Sequence, residues 1–253
     1  MGKGKRLRNR RERPAAAELP DYPFEVDARI RAELGPEGLA YLAENLWPKD
    51  CQTCGWPLGA ERPTLVCQDM VMLAQVSLHH RRCREASWSE TMVLHDSNAE
   101  LVSYDVLAFM LPGQKRSAEG IRTRDDRPVF FVNPSLETTT LTKMASGWRG
   151  TFLDRLQQTG LRPAGPDMFV DKPIPAAVAQ LGIGDLTVTL PPGVRWSCGV
   201  NVPFREAVED MGGVLLAATS AAMPTRMQRL GEFVDLLLAG KVVMGWVQLD
   251  VPG

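Results

Sequence analysis

No apolar run in the 253 residues approaches the ~18–20 that a helix needs to cross a bilayer, so a helical membrane anchor is not expected. The N-terminus is basic but has no apolar stretch behind it, so it does not have the form of a secretory signal. Histidine is scarce, with three in all, which leaves few places for imidazole-based chemistry. Five cysteines are too few and too unevenly spread for a disulfide framework, and their grouping suits metal ligation better. A reducing, cytoplasmic compartment is the expectation that follows. What remains is ordinary for a globular protein: 44% apolar and 23% charged residues, neither collagen-like nor broadly disordered. The length suits one large domain or two modest ones.

Lysine is also sparse: of 29 basic residues, 7 are Lys and 22 are Arg. With abundant Ala, Gly and Pro, this has the look of a GC-rich coding sequence, so arginine content alone carries little. Its clustering carries more. Residues 1–13 hold Lys3, Lys5, Arg6, Arg8, Arg10, Arg11 and Arg13 against Glu12, a formal +6, and the rest of the chain therefore holds −7. Seven cations with only Leu7 to pack are expected to stay disordered to about Leu19. Such a tail neutralises phosphates and releases counterions, which points to nucleic acid or a nucleoprotein complex as partner. It contains no aromatic residue and so offers no stacking platform for bases. Ribosomal RNA, an acidic protein or anionic lipid would meet the same charge, and a merely solubilising extension is the plainer alternative.

Residues 14–26, with three prolines, read as a linker. Asp27 to Trp47 reads as two short helices broken at Gly35-Pro36, with Leu39, Leu42, Ala43 and Leu46 on one buried face. Thr64–Met70 and Val71–Ser77 have strand composition, as do Thr91–Leu111, Pro128–Asn133, Leu186–Leu190 and Lys241–Val251. Helices are expected over about Gly147–Gln158, Ala176–Leu181, Phe204–Thr219 and Thr225–Ala239. The last of these carries a Met227, Leu230, Phe233, Val234, Leu237, Leu238 stripe suited to a core. No regular βαβ alternation appears, so the expected class is α+β. The expected division is a basic tail and linker over 1–26, a helical segment with a metal module over 27–90, and an α+β body over 91–253.

The chemistry concentrates in 51–83. Cys51-Gln-Thr-Cys54-Gly55 sets two thiols at a spacing that lets one tight turn aim both sulfurs at an ion, and the glycine permits the positive φ such turns use. His79-His80-Arg-Arg-Cys83 follows. Between them lies the presumed hairpin, which contains Cys67. A CxxCG turn, a hairpin and an HxxC opening a helix resembles the treble-clef type of zinc finger over about forty residues. That resemblance implies Zn2+ held by Cys51, Cys54, His80 and Cys83, a closed Cys3His set. His79 and Cys67 are the alternatives for the fourth ligand.

Elsewhere no constellation supplies a nucleophile, a base and an oxyanion donor together. A His-Asn-His nuclease would need further histidines and an Asn-rich pattern that is absent. Cys198 has no sequence-evident base. His95-Asp96-Ser97 reads as a turn, Asp125-Asp126 as a charge cluster among arginines, and Gly182-x-Gly184 lacks the third glycine of a dinucleotide fingerprint. The expectation is a non-enzymatic zinc-binding protein whose tail contacts nucleic acid. The rivals are an enzyme with its active site in 91–253 and a purely structural zinc, and a protein–protein adaptor.

Overall fold

A computed structural model describes residues 21–90, 103–116, 122–163 and 173–250. Helix α1 (Ala28–Asn45) starts at Asp27, whose carboxylate accepts from the Ile30 N–H at 2.6 Å. It kinks at Gly35, which takes φ 62° ahead of Pro36, so two helical pieces meet where the Gly-Pro pair predicts a break. The antiparallel hairpin β1 (Thr64–Asp69) and β2 (Leu73–His79) follows, then β3 (Ser87–Ser89), parallel to β1. β4 (Asp105–Leu111) runs on toward the two-stranded ribbon β5 (Gln114–Arg116) and β6 (Arg122–Arg124), and β7 (Arg127–Asn133) returns against β4.

The chain then goes back to the N-terminal part. β8 (Thr138–Met144) pairs with β2, and β9 (Gly147–Gly150) pairs with β8, giving a first sheet in the order β3-β1-β2-β8-β9. Its inner face carries Leu65, Cys67, Ala74, Val76, Leu78 and Leu141, buried against Ile30, Leu34, Leu39 and Leu42 of α1. This use of residues 138–150 has no local signature. Thr138-Thr-Thr-Leu-Thr reads as polar, yet alternation buries Thr139 and Leu141.

After α2 (Phe152–Gln158) and β10 (Arg162–Pro163) come β11 (Pro173–Leu181), β12 (Asp185–Leu190) and β13 (Val194–Gly199). Helix α3 (Val202–Met211), β14 (Gly213–Ala218), α4 (Leu230–Leu238) and β15 (Val243–Leu249) complete the description. The second sheet runs β13-β12-β11-β15-β14-β7-β4, with β10 also paired to β15. It nearly closes on itself. The Tyr104 Oη, just ahead of β4, accepts from the Ser197 N–H on β13 at 3.3 Å and donates to the Ser197 carbonyl at 3.4 Å.

The mixed α+β class stands, and four expected helices change. Gly147–Gly150 is a strand, so α2 starts only at Phe152. Ala176–Leu181 is strand β11, bulged where Ala176 takes φ 57°. The helix expected over Phe204–Thr219 stops at Met211, because Gly212 caps it with φ 67°; Val214 to Ala218 then become the fully buried strand β14. The segment from Thr225 begins in a single 3-10 turn (Pro224–Arg226) and is α-helical only from Leu230, and of its stripe only Phe233 is wholly buried. Leu230 and Val234 are exposed, and Leu238 is 83% exposed.

Candidate metal centre

Two turns bring four ligand atoms together. The first, after α1, is held open by short backbone bonds: Cys51 N–H to the Trp56 carbonyl and Gly55 N–H to the Cys51 carbonyl, both 2.8 Å, and Leu58 N–H to the Lys49 carbonyl, 2.8 Å. Gly55 takes φ 71°, the conformation expected of the residue after CxxC. The second turn leaves the end of β2, with the Cys83 and Arg84 N–H groups both bonded to the His80 carbonyl at 2.9 and 3.0 Å. The Gln52 N–H bonds to the Leu78 carbonyl at 3.1 Å, which fixes one turn beside the other.

The ligand atoms of Cys51, Cys54, His80 and Cys83 lie within 4.8 Å of one another. His80 Nδ1 stands 3.5 Å from Cys54 Sγ and 3.9 Å from Cys83 Sγ. A tetrahedral ion with metal–sulfur bonds of about 2.3 Å and a metal–nitrogen bond of about 2.0–2.1 Å would set sulfur and nitrogen about 3.5 Å apart. His80 Nε2 meets the Pro57 carbonyl at 3.0 Å, which places the proton on Nε2 and presents Nδ1 to the sulfurs.

The electrostatics favour a cation. Burial pushes the Cys51 thiol up, but hydrogen bonds from the backbone N–H groups of His80, Cys54 and Thr53 outweigh it and bring it down to about 7. The His80 N–H lies 3.3 Å from Cys51 Sγ. Desolvation, a hydrogen bond to Cys54 and the charge of Cys51 push the Cys83 thiol up to about 11. One thiolate therefore forms readily and further ones are opposed by it. A divalent ion removes that opposition.

The two alternative ligands are elsewhere. His79 is buried, its Nδ1 2.8 Å from Thr53 Oγ1 and its Nε2 2.8 Å from Ser77 Oγ, so it braces the CxxC turn through Thr53. Cys67 sits in the core of the first sheet, where burial drives its thiol far up. The helix expected to open at His80–Cys83 is not formed: the turn runs on into β3, which pairs beside β1. Sequence reasoning also missed Glu137, wholly buried, whose Oε1 accepts from the Asp50 N–H at 2.9 Å and whose Oε2 meets Gln52 Nε2 at 3.4 Å. It ties the turn bearing Cys51 to the start of β8, and no spacing or motif marks it.

Other candidates resolve into structure. Burial and the charge of Asp185 push the Cys198 thiol up to about 11, away from a reactive thiolate. Asp125 pairs with Arg127 at 3.0 Å, and Gly182 lies in the turn between β11 and β12. The tail cations Lys3 to Arg13 and His95-Asp96-Ser97 lie outside the described residues. Among the described residues, no helix is long and apolar enough to cross a membrane. No protein family, curated protein or solved structure matches the chain.

Proposed function

We propose that the chain is a non-enzymatic, cytoplasmic binding protein. Cys51, Cys54, His80 and Cys83 hold one structural Zn2+, and the basic N-terminal residues contact nucleic acid or a nucleoprotein complex. The observation that carries the metal assignment is the convergence of four ligand atoms within 4.8 Å around an imidazole whose other nitrogen is already hydrogen-bonded. Three thiolates and an imidazole suit zinc and fill its four positions. No position is left for water or substrate, so the ion holds the two turns together and does not activate water. A compartment that keeps thiols reduced suits such a site.

The partner follows from charge: seven cations in thirteen residues favour a polyanion. The tail's missing aromatic has a counterpart on the metal turns. Trp56 is 70% exposed directly after Cys54-Gly55, and Arg81 and Arg82 are exposed on the facing turn. An aromatic plane beside cations is the usual means of holding unpaired bases.

Elemental analysis of protein purified without a metal-binding tag tests the first part. One zinc per chain is expected, retained in Cys67→Ala and lost in Cys54→Ser; substoichiometric zinc, or zinc unchanged by Cys54→Ser, overturns it. A salt series of DNA and RNA binding tests the second. The full chain should show a steep salt slope, reduced by several units in a chain starting at residue 14 and weakened at all salts by Trp56→Ala. Binding unchanged by the truncation removes the tail from the reading.

A further inference from the structure

The outer face of the first sheet is polar by alternation. Ala74, Val76 and Leu141 turn into the core beneath α1, so Gln75, Thr138 and Thr140 turn the other way. Such a face ordinarily meets bulk water. Here α2 and the turn between β12 and β13 stand over it and enclose a groove of about 570 Å³, within the size range of small-molecule sites. The groove lies where the two sheets meet, a common place for such sites.

Its walls differ in chemistry. Thr138 and Thr140 supply hydroxyls from the sheet, and Phe152 and Tyr104 supply aromatic surface. Trp196 reaches the groove from the core with only 3% of its surface exposed, and among the described residues Arg155 and Arg195 supply the charges. Among the described residues no Asp or Glu lines it, although the chain has 30 acids against 29 bases. The local potential is therefore positive. Arg155 is already aimed, its Nη1 donating to Thr140 Oγ1 at 2.9 Å, which occupies one of its five N–H groups. Arg195 is held by its backbone opposite Thr189 in the β12–β13 ladder, while among the described residues its guanidinium has neither an ion-pair nor a hydrogen-bond partner.

We propose that this groove binds a small organic anion, an apolar ring or chain carrying a phosphate or carboxylate. Arg195 and Arg155 take the anionic group, and Phe152 and Tyr104 pack on the apolar body. Both anions fit the planar guanidinium fork, and the Thr140 hydroxyl, which accepts from Arg155, keeps its own O–H to donate at the same end. A cation is repelled, and a neutral amphiphile forgoes both arginines. The site is independent of the zinc and of the tail. A ligand seated there touches β2 and β8 of one sheet and β13 of the other, so it stabilises the joined fold by mass action.

The test titrates phenyl phosphate, benzoate and neutral benzamide into the full-length protein. It follows the Trp196 indole resonance, identified by its loss in Trp196→Phe, together with the melting temperature. Both signals should saturate with at least one anion, and the tighter of phenyl phosphate and benzoate identifies the anionic group. Benzamide should bind about tenfold more weakly or worse, and Arg195→Gln and Arg155→Gln should each weaken the anion about tenfold. Both arginines are solvent-exposed, so these variants should melt as the wild type does without ligand. Three results overturn the proposal: no response to either anion, equal binding of benzamide, or wild-type affinity in the double arginine variant.

Discussion

The two sheets keep their cores in different ways. The second is built on long central strands, of which β14 is buried at every residue. Its outer layer is closed by Phe109, Phe131 and Phe233, with ring centroids 4.9 to 6.5 Å apart in edge-to-face geometry. The first has edge strands of only three and four residues, one kinked helix over its inner face, and one end finished by the two ligand-bearing turns. Apolar packing is enough for the second sheet. In the first it gives way at the turns to hydrogen bonds and four converging ligand atoms, so the two should respond differently to the same insult.

Metal removal should separate them most. Folding energies assigned to structural zinc are about 10–16 kcal/mol in small peptides; part of that is at stake here, because the first sheet also has a core of its own. After chelation, amide protection should vanish over 49–58 and 80–84 and weaken across β1, β2 and β8. It should persist over 129–132, 214–218 and 243–247. Simultaneous loss in both sheets would show one cooperative unit and dissolve the distinction.

The next largest effect probes the second sheet alone. Phe233 is 0% exposed, and Phe233→Ala should cost about 3–5 kcal/mol in denaturant unfolding. Leu238→Ala, one turn on but at the surface, should cost less than about 0.5 kcal/mol. Comparable losses would mean that the outer face of α4 is covered in solution.

Those two residues also show how far the sequence could be read. The stripe on α4 has helical spacing, and periodicity put Phe233 and Leu238 on the same side. It could not show that the helix is nine residues long and lies on the sheet through one edge. Gly212 gave the reverse problem: Gly-Gly inside an apolar run looks like a weakened helix, whereas its αL geometry ends α3 and starts a buried strand. The metal ligands were legible because CxxC and HxxC are local patterns tied to turns. Glu137 and His79, which hold those turns, were not, since their partners are 85 to 87 and 26 residues away along the chain. The return of β8 to the first sheet is likewise a long-range pairing without a local code.

Glu137 gives a pH-dependent measure of how firmly the first sheet grips its metal turn. Burial pushes its carboxyl up to about 7, against hydrogen bonds from Asp50 and Ser103 that lower it. The unfolded group titrates near 4.3, so the folded state holds an extra proton between those values. The stabilisation this supplies is complete below the unfolded value and is lost as pH rises through about 7. Glu137→Gln cannot lose it. Relative to wild type, the variant should therefore gain about 1–3 kcal/mol between pH 5 and pH 8 in urea unfolding. A difference that stays flat over this range would mean that the carboxylate is solvated and the turn loosely held.

The smallest effect lies at the seam between the two regions and separates its buried contacts from its exposed ones. The Trp47 Nε1–H donates to the Ser220 carbonyl at 2.9 Å, and the buried Ser220 Oγ–H donates to Asn45 Oδ1 at 2.6 Å. A few ångströms of solvent access change the outcome for the neighbouring ion pair, Lys241 Nζ to Glu44 Oε2 at 3.0 Å, where both side chains are about half exposed. Water competes for each charge there, salt screens the attraction, and two long side chains lose rotamer freedom to meet. Glu44→Gln should thus change stability by less than about 0.5 kcal/mol, and less still at high salt. Ser220→Ala strands the Asn45 amide oxygen in a buried site and should cost about 1–3 kcal/mol. If the order were reversed, surface charge and not buried hydrogen bonding would join the metal-bearing sheet to the apolar one. Chelation would then spread across the seam less readily at high salt than at low, because screening would loosen the link between the two sheets.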